Sequence, residues 1–385
     1  MITSSNRLNG IGEYYFSQKL REIDMLNQQG KNVINLGIGS PDLPPHPEVV
    51  RVLQESVQLP GAHRYQSYKG VPALREAIAA WYMRYFHTPL DPDTEILPLI
   101  GSKEGIMHIC MAFLDHADYA LVPDPGYPTY AAAVQLAGAK PIHYKLTENN
   151  DWLPDLEVLE KLDLSKVKLM FVNFPHMPTG KMPDKAFFER LISFAHKHHI
   201  LLVHDNPYGF ILNTTPISML SFTGAKDVVL ELNSLSKSHN MAGWRVGMAC
   251  GNARAIAEVL RFKSNMDSGM FLPVQMAAVK ALSLDDTWFA QLNSVYAERK
   301  KAATQLLDLL HCSYASDQAG MFLWAHVPDS FSNGAALSEQ LLQHHAVFIT
   351  PGFVFGAAGE QYIRVSLCSN NEQFQEALKR ISNKL

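Results

Sequence analysis

A lysine lies among small hydroxyl residues in the segment from Ser234 to Gly247. The segment reads Ser-Leu-Ser-Lys-Ser-His-Asn-Met-Ala-Gly-Trp-Arg-Val-Gly, with Ser236 beside Lys237 and Arg245 eight positions later. A lysine amine can condense with an aldehyde to form a Schiff base. Hydroxyl groups and an arginine can hold a phosphate, the arginine through two parallel donors. The grouping suits a phosphorylated aldehyde cofactor, and the simpler alternative is a polar loop with a solvated lysine.

A second candidate for phosphate binding is the run Gly-Ser-Lys-Glu-Gly at 101–105, which contains Ser102 and Lys103. It follows a predicted strand and begins a predicted helix. Free N–H groups and the helix dipole favour an anion at such a position. A serine N-cap with an acidic first turn would give the same pattern. Together with Ser234 and Arg245, the run is better interpreted as a second wall around one phosphate.

Asp205 ends a predicted buried strand in Val-His-Asp-Asn-Pro-Tyr, and Tyr208 follows three residues later. A buried carboxylate is costly unless it is paired. A protonated pyridine nitrogen would be a suitable partner, because the ion pair keeps the ring cationic and electron-withdrawing. Tyr208 could donate to a phenolic oxygen on the same ring. The alternative is a turn aspartate before Asn-Pro.

Two further candidates could contact the cofactor or the substrate. Tyr127, in the turn-rich run Pro-Asp-Pro-Gly-Tyr-Pro, could stack on a cofactor ring, or it could simply pack. Arg364 lies in the strand-like run Ile-Arg-Val-Ser-Leu, where a buried guanidinium needs an anion. A substrate carboxylate would suit its bidentate fork, whereas an edge-strand arginine would reach solvent.

Composition limits the classes of function. The 385 residues are 47% hydrophobic and 18% charged, as in an ordinary soluble protein, and the net charge of −4 gives no basic surface for nucleic acid or membrane. We expect no membrane span and no secretory signal. The cysteines Cys110, Cys250, Cys312 and Cys368 are far apart, which favours buried free thiols and a cytoplasmic protein.

Short apolar runs alternate with amphipathic ones between about residues 95 and 250, which predicts an α/β fold with a mainly parallel, seven-stranded sheet. Ligands gather at the carboxyl ends of such strands. The end of the chain predicts a smaller α+β domain. We expect a large domain over 45–285 and a small one formed by 1–44 and 286–385. The predicted strands are Ile96–Ile100, Tyr119–Val122, Ile142–Leu146, Leu169–Asn173, Leu201–His204, Val228–Leu232 and Val246–Cys250.

These segments, in this order, resemble the class I and II pyridoxal-phosphate aminotransferases of fold type I. The resemblance covers most of the chain and is strongest to the LL-diaminopimelate and alanine aminotransferase-like group. It implies that pyridoxal 5'-phosphate is the cofactor, that Lys237 is the Schiff-base lysine and general base, and that Asp205 pairs with the ring nitrogen. The other implied cofactor contacts are Ser102, Lys103, Tyr127, Asn173, Tyr208, Ser234, Ser236 and Arg245.

The resemblance also implies the substrate contacts and the assembly. Gly39 and Arg364 would receive the substrate carboxylate. Tyr65 would reach the phosphate of a partner subunit in a homodimer with shared active sites. An amino group would move from an amino acid to a 2-oxo acid by ping-pong kinetics.

One position departs from the family pattern. The family has asparagine before Pro-Thr-Gly, where it donates to the cofactor's phenolic oxygen, and this chain has Met177. A thioether has no N–H to donate. Asn173 or His176 could substitute, or the oxygen could rely on Tyr208 alone. Losing the donor should raise the proton affinity of the Schiff base.

Two alternatives have other functions. A pyridoxal-phosphate carbon–sulfur β-lyase would use the same constellation and would release ammonia and pyruvate from cystathionine without an acceptor. A non-catalytic regulatory protein of this fold would normally carry an added DNA-binding segment. We expect no metal, because His196, His198 and His199 lack a completing ligand.

Overall fold

Strands and helices alternate through the middle of the chain. The structure, a computed structural model, describes residues 2–382. The strands in this range are β1 (Ile34–Asn35), β2 (Ile96–Leu99), β3 (Tyr119–Asp124), β4 (Lys140–Lys145), β5 (Val167–Asn173), β6 (Leu201–Asp205), β7 (Val229–Ser234), β8 (Gly247–Gly251), β9 (Phe322–His326), β10 (Val347–Phe348), β11 (Thr350–Pro351) and β12 (Tyr362–Ser366). The α-helices are α1 (Tyr15–Gln28), α2 (Pro47–Ser56), α3 (Pro72–Phe86), α4 (Ser102–Phe113), α5 (Thr129–Leu136), α6 (Leu156–Leu159), α7 (Lys185–His198), α8 (Ala225–Val228), α9 (Leu235–Ser238), α10 (Ala253–Lys263), α11 (Leu272–Leu282), α12 (Asp286–Leu309), α13 (Gly334–His345) and α14 (Asn371–Ser382).

The predicted seven-stranded sheet is present, and the predicted fold class is confirmed. Its strand order is β2-β8-β7-β6-β5-β3-β4. Strand β8 runs antiparallel to both of its neighbours, β2 and β7. The other pairs in the sheet are parallel. Each of the seven strands predicted from the sequence overlaps an observed one.

Both faces of this sheet are covered by helices. Along β5, Leu169 and Phe171 enter one buried cluster, and Met170 and Val172 enter another. The alternation follows from the two-residue period of a strand. Residues of α4, α5 and α10 cover the first face, and residues of α3, α7 and α11 cover the second. The continuous apolar runs in the sequence therefore reflect burial on two sides.

The carboxyl ends of the parallel strands carry polar residues at one edge of the sheet. The neighbouring strands β7, β6 and β5 end at Ser234, Asp205 and Asn173. Gly247, the first residue of the antiparallel β8, pairs with both Leu99 and Ser234, so the turn after β2 meets the same edge. The topology brings together residues that are more than a hundred positions apart.

A second group of elements packs beside this edge. Strands β11, β12 and β9 form an antiparallel sheet in that order, and β1 pairs with β10. Helix α1 packs Ile23 against Leu342 and Phe348. The grouping agrees with the predicted small domain, but the boundaries at 44 and 285 remain a prediction. Residue 1 and residues 383–385 lie outside the described residues.

None of the helices within residues 2–382 is long and apolar enough to span a membrane. The four cysteines are buried and free, as expected from their spacing.

Candidate active site

A cavity of about 390 Å³ opens at the carboxyl edge of the large sheet. Every site residue predicted from the sequence lines it except Tyr65. The structure therefore brings together side chains from the two ends and the middle of the chain. The predicted residues in the lining are Gly39, Ser102, Lys103, Tyr127, Asn173, Asp205, Tyr208, Ser234, Ser236, Lys237, Arg245 and Arg364.

Asp205 presents a buried carboxylate to the cavity. Its Oδ2 accepts a hydrogen bond from the Tyr130 hydroxyl at 2.8 Å. Its Oδ1 is buried and has no partner among the described residues. Burial raises the pKa of Asp205 to about 6, against the opposing effects of Tyr130 and His204. A cationic N–H donor at Oδ1 would satisfy this oxygen and favour the ionised carboxylate.

A buried network of polar side chains lies behind Asp205. His204 Nδ1 lies 2.8 Å from Glu231 Oε2, and His204 Nε2 lies 3.2 Å from the Phe174 carbonyl oxygen. Glu231 also accepts hydrogen bonds from the Tyr82 hydroxyl and the Met219 N–H. His204 lowers the pKa of Asp205, against the larger opposing effect of burial.

Lys237 lies on the short helix α9, directly after β7. Its Nζ donates a hydrogen bond to the Gly39 carbonyl oxygen at 2.5 Å. Burial lowers its pKa, and the nearby Arg364 and Arg245 guanidinium groups lower it further, while Cys368 has the opposite effect. These effects favour the uncharged amine, which is the nucleophilic and proton-accepting form.

The start of α4 suits an anion. Ser102 is the first residue of this twelve-residue helix. A Cβ at Gly101 would collide with the Arg245 guanidinium, so glycine lets that group reach the helix end. A Cβ at Gly247 would lie only 2.7 Å from the Gly101 carbonyl carbon and the Ser102 nitrogen. The glycines thus allow free N–H groups, a hydroxyl and a guanidinium to converge on one point.

Ser234 and Ser236 line the same end of the cavity. The Ser234 side chain caps α9 by accepting from the Ser236 N–H at 3.1 Å, and the two hydroxyl oxygens are 2.9 Å apart. These contacts fix the turn between β7 and α9, which also carries Lys237. The same turn therefore carries the Lys237 amine and places two hydroxyl groups in the cavity lining.

Arg364 projects from β12 and is buried, with 4% of its surface exposed. Its guanidinium carbon lies 3.9 Å from the ring centre of Phe322 and 4.5 Å from that of Phe355. One terminal nitrogen donates to the Gly37 carbonyl oxygen at 2.8 Å, and Nε has no partner among the described residues. Burial lowers the pKa of Arg364 to about 10. Arg364 forms no ion pair with the described residues. A buried cation without such a partner suits an anionic ligand.

Met177 contacts Arg364. The Arg364 Nη1 lies 3.3 Å from Met177 Sδ. Asn173 holds this segment, because its Oδ1 accepts from the Met177 N–H at 2.7 Å and its Nδ2 donates to the Asp205 carbonyl oxygen. His176 bonds Thr179 and does not line the cavity, whereas Asn173 does. Of the residues considered as donors to the cofactor's phenolic oxygen in place of the family's asparagine, Asn173 and Tyr208 line the cavity.

Tyr65 lies outside the cavity and is 90% exposed. The loop that follows it is braced by Lys263, a buried residue whose Nζ donates to the Tyr68 carbonyl oxygen and to both oxygens of Asp267. Gly269 lies against the backbone of this loop, where a Cβ would be 2.7 Å from the Gln66 oxygen. The loop is therefore firmly attached while the tyrosine itself projects outward.

Several site residues had no signal in the sequence that could reveal their role. Tyr130 lies 75 positions from Asp205, and only the packing of α5 on the sheet brings them together. Phe16, Phe322 and Phe355 surround Arg364 from three distant segments. An apolar aromatic residue in a helix or strand looks the same in sequence whether it fills a core or faces a ligand.

Comparison with known proteins identifies the family. The sequence family "Aminotransferase class I and II" matches residues 31–381. The chain belongs to the class I and II aminotransferases. An LL-diaminopimelate aminotransferase of Dehalococcoides mccartyi is 41% identical over 98% of both chains, and one of Aquifex aeolicus is 38% identical over 100% of this chain and 99% of its own. The substrate-bound BacF structure from Bacillus subtilis is 36% identical and superposes with a TM-score of 0.94, covering 100% of this chain and 98% of the other.

Class I and II aminotransferases use pyridoxal 5'-phosphate, and so does this member of the family. The residues of this aminotransferase fit that cofactor. The unpartnered Asp205 Oδ1 suits a pyridinium N–H, and the anion site at Ser102 and Arg245 suits a phosphate. The partly buried Lys237 amine suits an aldehyde.

Proposed function

We propose that this aminotransferase moves an amino group from an amino acid to a 2-oxo acid in the cavity between Lys237 and Arg364. The observation that supports it most is the presence of two groups in one cavity: a partly buried lysine amine favoured in its uncharged form, and a buried guanidinium with no acidic partner among the described residues. An α-amino acid needs both, one for its reacting centre and one for its carboxylate.

Different residues bind the substrate carboxylate and move the proton of the α-carbon. Arg364 binds the substrate carboxylate and so fixes the position of the α-carbon, with Gly39 beside it. Lys237 Nζ accepts the proton from that carbon and would deliver it to the carbon of the cofactor's aldehyde group. The Gly39 carbonyl oxygen holds Nζ in place. Bound pyridoxal phosphate supplies the aldehyde and the electron-withdrawing ring.

The remaining residues hold the cofactor. Asp205 would accept a hydrogen bond from the ring nitrogen, and His204 lowers the pKa of its carboxyl group. Ser102, Lys103, Ser234, Ser236 and Arg245 would hold the phosphate, Ser102 and Lys103 partly through their backbone N–H groups. Tyr127 would contact the ring, and Tyr208, with Asn173, would donate to its phenolic oxygen.

Covalent labelling tests the assignment of Lys237. Borohydride should fix the cofactor to the peptide that contains Lys237, and purified protein should be yellow. Initial rates with amino donors and with 2-oxoglutarate or pyruvate should give parallel double-reciprocal lines. Label on another lysine would contradict the role of Lys237. Ammonia and pyruvate from cystathionine without an acceptor would favour the β-lyase alternative instead.

We also propose a homodimer with shared sites, supported by the exposed Tyr65 on its braced loop. Mixing separately inactive Tyr65→Ala and Lys237→Ala subunits tests this directly. A mixed dimer contains one site with both defects and one intact site, so about a quarter of wild-type specific activity should return after random exchange. If Tyr65 served its own chain, no activity would return. We propose a cytoplasmic location as well, supported by the free, buried thiols.

A further inference from the structure

The wall of the cavity that remains after the cofactor and carboxylate contacts are assigned is mainly apolar and aromatic, with Ser17 as a polar member. Helix α1 and the residue before it contribute Tyr14, Phe16 and Leu20. The rings of Tyr14 and Phe16 are 5.5 Å apart, and Phe16 lies 6.4 Å from Phe355. Ile38 also lines this wall. If Arg364 binds the carboxylate, the wall is the surface left for the substrate's side chain.

Charged groups in the cavity are few. Of the described residues, those with a charged side chain in the lining are Lys103, Asp205, Lys237, Arg245 and Arg364. Asp205 is the one acid among them, and its partners are Tyr130 and the cofactor ring. The Lys103 ammonium lies over the Tyr14 ring at 4.9 Å. The described residues that line the cavity therefore offer no free carboxylate for a second ammonium group on a substrate.

We propose that the amino donor carries a large, uncharged, apolar or aromatic side chain. The inference rests on the proposed function, and it names the substrate class for that site. An apolar side chain gains from burial against Tyr14, Phe16 and Leu20. A distal ammonium in the same place would lose its hydration without a counter-charge. The similar proteins named LL-diaminopimelate aminotransferases act, by that name, on a donor with a distal ammonium and a distal carboxylate.

The half-reaction with the amino donor tests the inference, because its rate does not depend on which 2-oxo acid is the acceptor. Holoenzyme is mixed with one donor at a time, and the rate of the cofactor's absorbance change gives a second-order constant. Phenylalanine and leucine should react at least about tenfold faster than LL-diaminopimelate and lysine. A faster reaction with LL-diaminopimelate than with phenylalanine and leucine would overturn the inference and leave the proposed aminotransferase function intact. No reaction with any amino acid would instead contradict the proposed function.

A matched pair of leucines tests the wall itself. Leu20 lines the cavity and is 40% exposed, and Leu162 is 41% exposed but lies elsewhere. Leu20→Ala should lower the constant for phenylalanine by about tenfold relative to alanine as donor, whose methyl group is too short to reach α1. Leu162→Ala should leave the ratio of the two donors unchanged. An unchanged ratio in Leu20→Ala, with wild-type thermal stability, would remove α1 from the substrate site.

Discussion

Replacing Arg364 by leucine should lower kcat/KM without lowering the thermal stability of the cofactor-free protein. The guanidinium is buried between Phe322 and Phe355 and has no acidic partner among the described residues. Loss of a charge-assisted bidentate contact to the substrate carboxylate should cost about 2–5 kcal/mol. At about 1.4 kcal/mol for each tenfold change, kcat/KM should fall by about 30-fold or more for every amino-acid donor.

The cofactor-free protein should respond differently. A buried cation without a counter-charge carries a desolvation cost, and an apolar residue of similar size among aromatic rings removes it. The thermal midpoint of cofactor-free Arg364→Leu should therefore equal or exceed that of the parent. Covalent binding of the cofactor should persist, because the proposed role of Arg364 is to bind the substrate and not the cofactor. Arg364→Lys should recover little activity, since an ammonium lacks the planar fork.

Arg299 provides the matched control. It is as buried as Arg364, at 3% exposed, but it forms two hydrogen bonds of 2.7 and 2.8 Å with Asp42, whose side chain is 36% exposed. Arg299→Leu removes these charge-assisted hydrogen bonds and should cost about 1–2 kcal/mol of stability, less than for a fully buried pair because the Asp42 carboxylate stays hydrated. It should lower the thermal midpoint while changing kcat/KM much less than Arg364→Leu. Scanning calorimetry and donor kinetics on both variants decide the matter. A large loss of stability in Arg364→Leu, or normal kinetics, would refute the assigned role.

Three further predictions concern the cofactor site. Because burial raises the pKa of Asp205 from 3.8 to about 6, the folded, cofactor-free protein binds this proton more tightly than the unfolded chain, and stability is lost as pH rises through that range. The thermal midpoint of cofactor-free Asp205→Asn should therefore rise relative to that of the parent between pH 4 and 7, and a constant difference between the two midpoints would contradict the raised pKa. Met177→Asn should lower the pH midpoint of the holoenzyme's visible absorbance change, because a donated hydrogen bond stabilises the phenolate; an unchanged midpoint would mean that Asn173 or Tyr208 already serves that oxygen. Gly247→Ala should weaken cofactor binding by about tenfold or more, whereas Gly243→Ala, where a Cβ meets nothing within 4 Å, should not, and equal affinities measured by cofactor titration would show that the close approach to Gly101 is not needed.

The sequence predicts the sheet well because its strands are short apolar runs that end in polar residues. The presence of Lys237 and Asp205 in one cavity was predictable from local patterns, since Lys237 lies in a run of small hydroxyl residues with Arg245 after it, and Asp205 ends a buried strand. The network of Tyr82, His204 and Glu231 was not, because it joins residues 149 and 27 positions apart. Those contacts depend on which strands become neighbours, and hydrophobic periodicity does not contain that information.

The position of the antiparallel strand β8 determines how much of the chain must be synthesised before the proposed phosphate site can form. Strand β2 pairs with β8, about 150 residues later, and Gly247 is the point where the two walls of the phosphate site meet. A nascent chain that ends before residue 247 therefore cannot contain a complete phosphate site, however well its earlier strands have paired. The carboxylate site is completed later still, because Arg364 donates to Gly37, 327 positions away. Contacts of such long range form slowly, since the intervening chain must first be ordered. We therefore expect cofactor binding only after β8 has paired with β2, and amino-acid binding only after β12 has also folded.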